Sequence, residues 1–295
     1  MPSQHTTAAW PHHLAGQHKH GKHETMTKTI LLTGATDGIG LETAKMLAPM
    51  GHTLLLHGRN SAKLEKVVDL LKKVAGAGQI ETYTADLSIM RNVAALAAAI
   101  AEKHDKLDVL INNAGVYGAP DETTEDGFDI RFAVNTLAPY LLTKKLLPLM
   151  NASGRVINLS SAAQASVAPQ ALRGERFITS DNLAYAQSKL ALTMWSIDLA
   201  SSLGENGPAI IAVNPMSMLG SKMVKEAYGV EGADLRIGAD ILCRAAFSDE
   251  FAKASGKYFD NDISQFSSPH PDALHPGKCA DIVATIETIL AEKLA

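Results

Sequence analysis

The chain has 295 residues, 46% of them hydrophobic and 20% charged, which supplies a sizeable folded core and does not match the composition of a disordered protein. Its net charge of −4 argues against a nucleic-acid or anionic-membrane partner, since either calls for a basic face. No apolar run reaches the roughly 18 residues of a membrane span, and two widely separated cysteines, Cys243 and Cys279, form no metal pattern and fit packing in a reducing cytoplasm.

Residues 1–25 stand apart. His5, His12, His13, His18, His20 and His23 lie among small and polar residues with no hydrophobic periodicity and no apolar region of a secretory signal, so this stretch is expected to be a disordered extension. Residues 26–295 are expected to form a single domain, because no glycine- or proline-rich linker divides them.

From Thr29 onward, short β-rich runs alternate with helical patterns, the rhythm of βαβ units around a parallel sheet. The first strand, TKTILLTG, runs into a glycine turn and a helix over 38–49. HTLLLHG is the second strand, SAKLEKVVDLLKKV a helix, and QIETYTAD the third strand. Ser88 is placed to cap the next helix, where Val93, Leu96, Ala97 and Ile100 share one face. KLDVLINNAG is a fourth strand, apolar enough to be buried on both faces. A long helix from Asn135 to Met150, a fifth strand GRVINLSS, a helix from about 182 to 203 and a sixth strand PAIIAVNP follow. The remainder reads as less regular, with a glycine-bearing segment from Met216 to about Ile237 as a candidate lid.

The first chemical signal is TGATDGIG, with glycines at 34, 38 and 40. A strand ending in glycines lets the backbone approach a pyrophosphate, and the following helix offers free N–H groups and its positive dipole end. The residues expected at this turn are Gly34, Thr36, Asp37, Gly38, Ile39 and Gly40. After the second strand, where an NAD site commonly places a carboxylate, the sequence has Gly58 and then Arg59. A guanidinium can pair with a 2′-phosphate, so NADP(H) is expected in preference to NAD(H), with NAD(H) still possible; a surface arginine opening a helix is the alternative.

The ordered set TGATDGIG, NNAG at 112–115, Asn135 in FAVNTLAPYLLT, and LSS followed by YAQSK resembles the short-chain dehydrogenase/reductase family, in particular members similar to retinol dehydrogenases and their bacterial relatives. The resemblance implies a Rossmann-type, doubly wound parallel α/β sheet with helices on both faces and hydride exchange between a nicotinamide and an alcohol or carbonyl. Tyr140 and Lys144 repeat the spacing of Tyr185 and Lys189, and either pair shares a helical face. The family order selects the second pair, because Tyr185 follows Ser161.

By this resemblance Tyr185 is the acid/base. Moving a phenol from a pKa near 10 by about 3 units requires roughly 4 kcal/mol of phenolate stabilisation, and Lys189 is a cation of the right sign. Ser161 is implied as the hydrogen bond to the substrate oxygen, with Ser160 the lesser candidate, and Asn135 as the holder of a helix distortion and a water linking Lys189 to solvent. The cofactor is further implied to meet Leu87, Asn112, Ala114, Gly115, Asn135, Tyr185, Lys189, Pro215 and Ser217. Asp86 has two readings, a contact to adenine and a helix cap beside Ser88.

Two departures stand out. Tyr185 lies 24 positions beyond Ser161, and the additional residues are expected to wall the substrate pocket. Met216 occupies the position where a glycine usually follows the proline. Apolar Met216, Met218, Leu219, Met223 and Val224 point to a hydrophobic small-molecule substrate or to packing. No metal ligand set is recognised, and a homodimer or homotetramer is expected by analogy. A C=C reductase of the same fold is an alternative, as is a non-catalytic cofactor-binding sensor, although such sensors typically lack the tyrosine or lysine.

Overall fold

A computed structural model of the chain describes residues 27–119, 121–222, 224–225 and 229–295. The expected extension 1–25 and Met223 lie outside the described residues.

The apolar runs become strands β1 (Thr29–Leu32), β2 (Thr53–Gly58), β3 (Ile80–Thr84), β4 (Val109–Asn112), β5 (Arg155–Leu159), β6 (Ala209–Asn214), β7 (Tyr258–Asp260) and β8 (Gln265–Ser267). They form one sheet in the order β3-β2-β1-β4-β5-β6-β7-β8, parallel except for the antiparallel β7–β8 pair. Because side chains alternate across a pleated strand, neighbouring residues enter two cores. Leu31, Leu55, Leu110, Val156 and Ile210 pack on one face, whereas Ile30, Leu32, Leu54, Leu56 and Ile111 pack on the other.

The first face is covered by α3 (Met90–Lys103), α5 (Ala138–Leu146), α7 (Asp181–Leu203) and α9 (Pro276–Leu294); the second by α1 (Gly38–Leu47), α2 (Ser61–Leu71) and α8 (Leu235–Phe247). Two short helices, α4 (Ile130–Phe132) and α6 (Pro169–Leu172), complete the described set. This is the doubly wound α/β arrangement, and the strand order reverses between β1 and β4, where open sheets of this kind leave a crevice beyond their carboxyl ends.

Three local expectations change. Ser88 does not cap α3: it donates from N and Oγ to Asp86 Oδ1, at 2.9 and 2.8 Å, and Asp126 Oδ2 instead accepts the Met90 N–H at 2.8 Å. The long helix starts at Ile130, ahead of Asn135, and runs from α4 through a π turn at Ala133–Leu137 into α5. The chain after Asn214 is also more regular than its sequence suggested, because α8, α9 and the β7–β8 hairpin extend both layers.

Candidate active site

The glycine turn is built by close approach. Gly34 has φ 67°, in the left-handed region, and a Cβ on Gly40 would stand 2.1 Å from Gly34 O. Asp37 caps α1 by accepting from Gly38 N at 2.8 Å, which leaves the helix N-terminus facing the turn. Asn113 Nδ2 donates to Thr33 O at 2.8 Å and to Gly34 O at 3.1 Å, while Thr33 Oγ1 accepts from Asn113 N and Ala114 N, both at 3.0 Å. Buried His57 closes the turn from β2: Gly34 N donates to Nδ1 at 3.4 Å, so Nε2–H donates to Ala85 O at 3.1 Å. Burial lowers the His57 pKa and favours this neutral ring.

These elements border a cleft of about 670 Å³. The predicted turn residues Gly34, Thr36, Asp37, Gly38, Ile39 and Gly40 all line it. Also lining it, in the order of the strands they follow across the sheet, are Asp86 and Leu87 after β3, Arg59 after β2, Ala114 and Gly115 after β4, and Pro215 after β6, together with Tyr185 and Lys189 of α7. Asp86 thus faces the cleft, and its bonds from Ser88 close a turn ahead of α3 and do not cap the helix, whose N-cap residue is Ile89.

Asn112, Asn135, Ser161 and Ser217 are not among the cleft walls. Asn112 is buried in the sheet, donating to Thr143 Oγ1 at 3.1 Å and Asn158 Oδ1 at 2.8 Å, and its neighbour Asn113 takes the cleft position. Ser217 bonds to Asp262 instead. Ser161 is half-buried, its Oγ accepting from Ala163 N at 3.1 Å, whereas buried Ser160 lines the cleft with its hydroxyl bonded to Thr193 Oγ1 at 2.7 Å. Residues 162–182, the last two of which open α7, do not line the cleft either; the start of the stretch is tied to α7, with Ala165 N donating to Ala186 O at 3.3 Å and Ala168 N to Gln187 Oε1 at 2.9 Å.

Helix α7 starts at the Ser180 cap, with Asp181 favourably placed at the positive end of its dipole. About two turns in, Lys189 is 4% exposed, and its Nζ lies 5.7 Å from the centre of the Tyr185 ring while donating to Leu159 O at 2.7 Å. Among the described residues no carboxylate forms an ion pair with it, and burial lowers its pKa to about 8. Behind the pair, the π turn presents Asn135, which donates from Nδ2 to Val116 O at 2.8 Å and Ser188 Oγ at 3.0 Å and accepts from Val116 N at 2.8 Å. A Cβ on Gly115 would lie 3.3 Å from Asn135 Oδ1 and 3.5 Å from Lys189 Nζ, so a glycine brings the backbone close to both.

The second Tyr–Lys copy is built differently. Tyr140 is buried, packs edge-on against Trp195 with ring centres 5.4 Å apart, and donates to Glu287 Oε1 on α9 at 2.7 Å. Burial and that carboxylate both push its pKa far up, opposite to what a proton shuttle at neutral pH needs.

Sequence reasoning passed over Asn60 and Lys63, on the cleft wall next to Arg59, and Tyr117. The Tyr117 ring lies 5.4 Å from that of Tyr185, and its hydroxyl donates to Asn182 Oδ1 at 2.6 Å. The helical spacing of Arg59 and Lys63 was a usable signal for the former; nothing local announces Tyr117. A glycine cradle with no room for a Cβ, a helix N-terminus and cationic side chains at one end together fit a dinucleotide.

Residues 28–229 match the family model for short chain dehydrogenases. Human retinol dehydrogenase 13 is 32% identical over 264 residues, covering 83% of this chain and 79% of that protein. Among solved structures, an uncharacterized protein from Mycobacterium paratuberculosis has a TM-score of 0.74 at 27% identity, over 90% of this chain and 93% of its own. The angucycline C-6 ketoreductase LanV, solved with bound NADP, has a TM-score of 0.63 at 28% identity, over 79% of this chain and 93% of its own. With that family model spanning the glycine turn, the Tyr185 helix and β6, the chain belongs to the short-chain dehydrogenase family and is an NAD(P)-dependent oxidoreductase.

Proposed function

We propose that residues 26–295 act as one domain that interconverts an apolar alcohol and its carbonyl with NADP(H), using Tyr185 as the proton donor and acceptor. The observation that carries this reading is the buried Lys189 ammonium beside the Tyr185 ring in the same cleft that the glycine turn lines. When bound, the nicotinamide supplies or takes up the hydride. In the reducing direction the Tyr185 hydroxyl gives its proton to the carbonyl oxygen, and in the oxidising direction the phenolate takes the alcohol proton. Lys189 favours the phenolate by charge, and Ser161, reorienting from its bond with Ala163 N, donates a hydrogen bond to the substrate oxygen. Asn135 fixes the Val116 backbone and Ser188 beside this pair.

Preference for NADP(H) is supported by Arg59 and Lys63 on one cleft wall, where charge-assisted bonds to a 2′-phosphate can form, and by the NADP bound to LanV. An apolar substrate is supported by the similarity to retinol dehydrogenase 13 and by exposed Met218 beyond Pro215. The test follows nicotinamide absorbance with purified protein over a panel of apolar aldehydes and ketones. Tyr185→Phe is expected to lower kcat by about 10²–10⁴-fold while leaving the NADPH Kd nearly unchanged, since only a hydroxyl is lost. Wild-type protein that binds NADPH but turns over no member of the panel, or a Tyr185→Phe variant with wild-type kcat, overturns the reading.

A further inference from the structure

Beyond Pro215 at the cleft the chain takes a path that residues with a Cβ resist. Met216 has φ 109° and Met218 φ 55°, both in the left-handed region. Such a residue persists only where its surroundings hold it.

The hairpin turn between β7 and β8 provides the hold. Asp262 Oδ1 accepts from Ser217 N at 2.8 Å, and Oδ2 accepts from Ser217 Oγ at 2.6 Å and Asn214 Nδ2 at 2.8 Å. Asn261 donates from N to Asn214 O and from Nδ2 to Pro215 O, each at 3.1 Å. Asp260 Oδ1 accepts from Asn214 Nδ2 at 2.8 Å and from Asp262 N at 3.1 Å, orienting the neighbouring carboxylate. Residues 214, 215 and 217 are therefore each held by the hairpin, and Met216 has to make the turn between them. On the far side Ala233 N donates to Met218 O at 2.8 Å, anchoring the next residue but one.

We propose that Asp262 is a positioning residue for the cofactor cleft: its two carboxylate oxygens hold Met216 left-handed, which sets Pro215 and the following turn against the Tyr185–Lys189 end. The inference rests on the NADP(H) reading for the identity of what fills the cleft. It makes a demand that simple fastening of the hairpin does not. Glycine enters the left-handed region without the Cβ penalty, so a glycine at 216 removes most of the need for the clamp.

The experiment compares wild type, Asp262→Ala, Met216→Gly and the double variant, measuring NADPH Kd by nucleotide fluorescence. Amide exchange over residues 214–220 is followed in the protein without nucleotide. Asp262→Ala is expected to raise the Kd about tenfold, equivalent to ~1.4 kcal/mol, and to speed exchange at Ser217. Adding Met216→Gly is expected to bring the Kd back to within about threefold of wild type, or ~0.7 kcal/mol. An Asp262→Ala variant with wild-type Kd, or a double variant as weak as Asp262→Ala, overturns the proposal. Should Asp262→Ala fail to fold, Asp262→Asn takes its place under the same requirement of recovery by Met216→Gly. A wild-type protein that does not bind NADPH refutes the functional reading instead, and an unchanged Ser217 exchange rate in Asp262→Ala then overturns the clamp on its own.

Discussion

Replacing Lys189 with methionine should make the protein more stable and inactive, and the gain should depend on pH in a defined direction. Lys189 is enclosed, and burial lowers its pKa from 10.5 to about 8. At about 1.4 kcal/mol per unit this corresponds to about 3 kcal/mol of strain whenever the amine is protonated in both folded and unfolded chains, which holds below pH 8. Between pH 8 and 10.5 the unfolded chain binds the proton and the folded chain does not, so wild-type stability rises with pH through that window. Methionine has similar length and no charge, but it forfeits the bond from Nζ to Leu159 O, worth about 1 kcal/mol. Lys189→Met should therefore be more stable by about 2 kcal/mol at pH 7, with a Tm higher by about 5 °C, and its advantage should shrink to near zero by pH 10. Urea denaturation of both proteins at pH 7 and pH 10 measures this. A variant less stable than wild type at pH 7, or an advantage that stays constant to pH 10, refutes the account of an ammonium strained by burial.

Two other outcomes follow from the cleft. Arg59→Ala should lower kcat/KM for NADPH about tenfold and leave that for NADH within about twofold, since the exposed guanidinium is screened by solvent; equal losses for both cofactors count against a 2′-phosphate contact. Gly40→Ala should weaken NADPH binding more than tenfold, because its Cβ would meet the Gly34 carbonyl at 2.1 Å and push α1 away from the turn. Isothermal titration reads this directly, and an unchanged affinity contradicts the close-approach argument.

The parallel sheet was legible because its strands are nearly continuous apolar runs, as in VLIN and the following RVINL, with helical periodicity between them. The glycine turn was legible because close backbone approach has a residue requirement that spacing preserves. The adjacent pair Asn112 and Asn113 was not separable by type: alternation along the strand turns one into the sheet and the other toward the cleft. Ser217 was placed by its distance from Pro215, but its partner Asp262 is 45 residues later, in the turn after the three-residue strand β7, which is too short for periodicity. Met216 was noticed for its residue type, while the consequence lay in its φ, which sequence does not carry.

The π turn has a bearing on how this chain tolerates change. Asn135 grips Val116 through the main chain alone, taking one bond from its N–H and giving one to its carbonyl. Any amino acid but proline can offer both groups, so the identity of residue 116 is uncoupled from the path of the loop. A library varied at 116 can therefore retune what the neighbouring wall admits, with the frame around Lys189 kept in place by an amide 19 residues later in sequence.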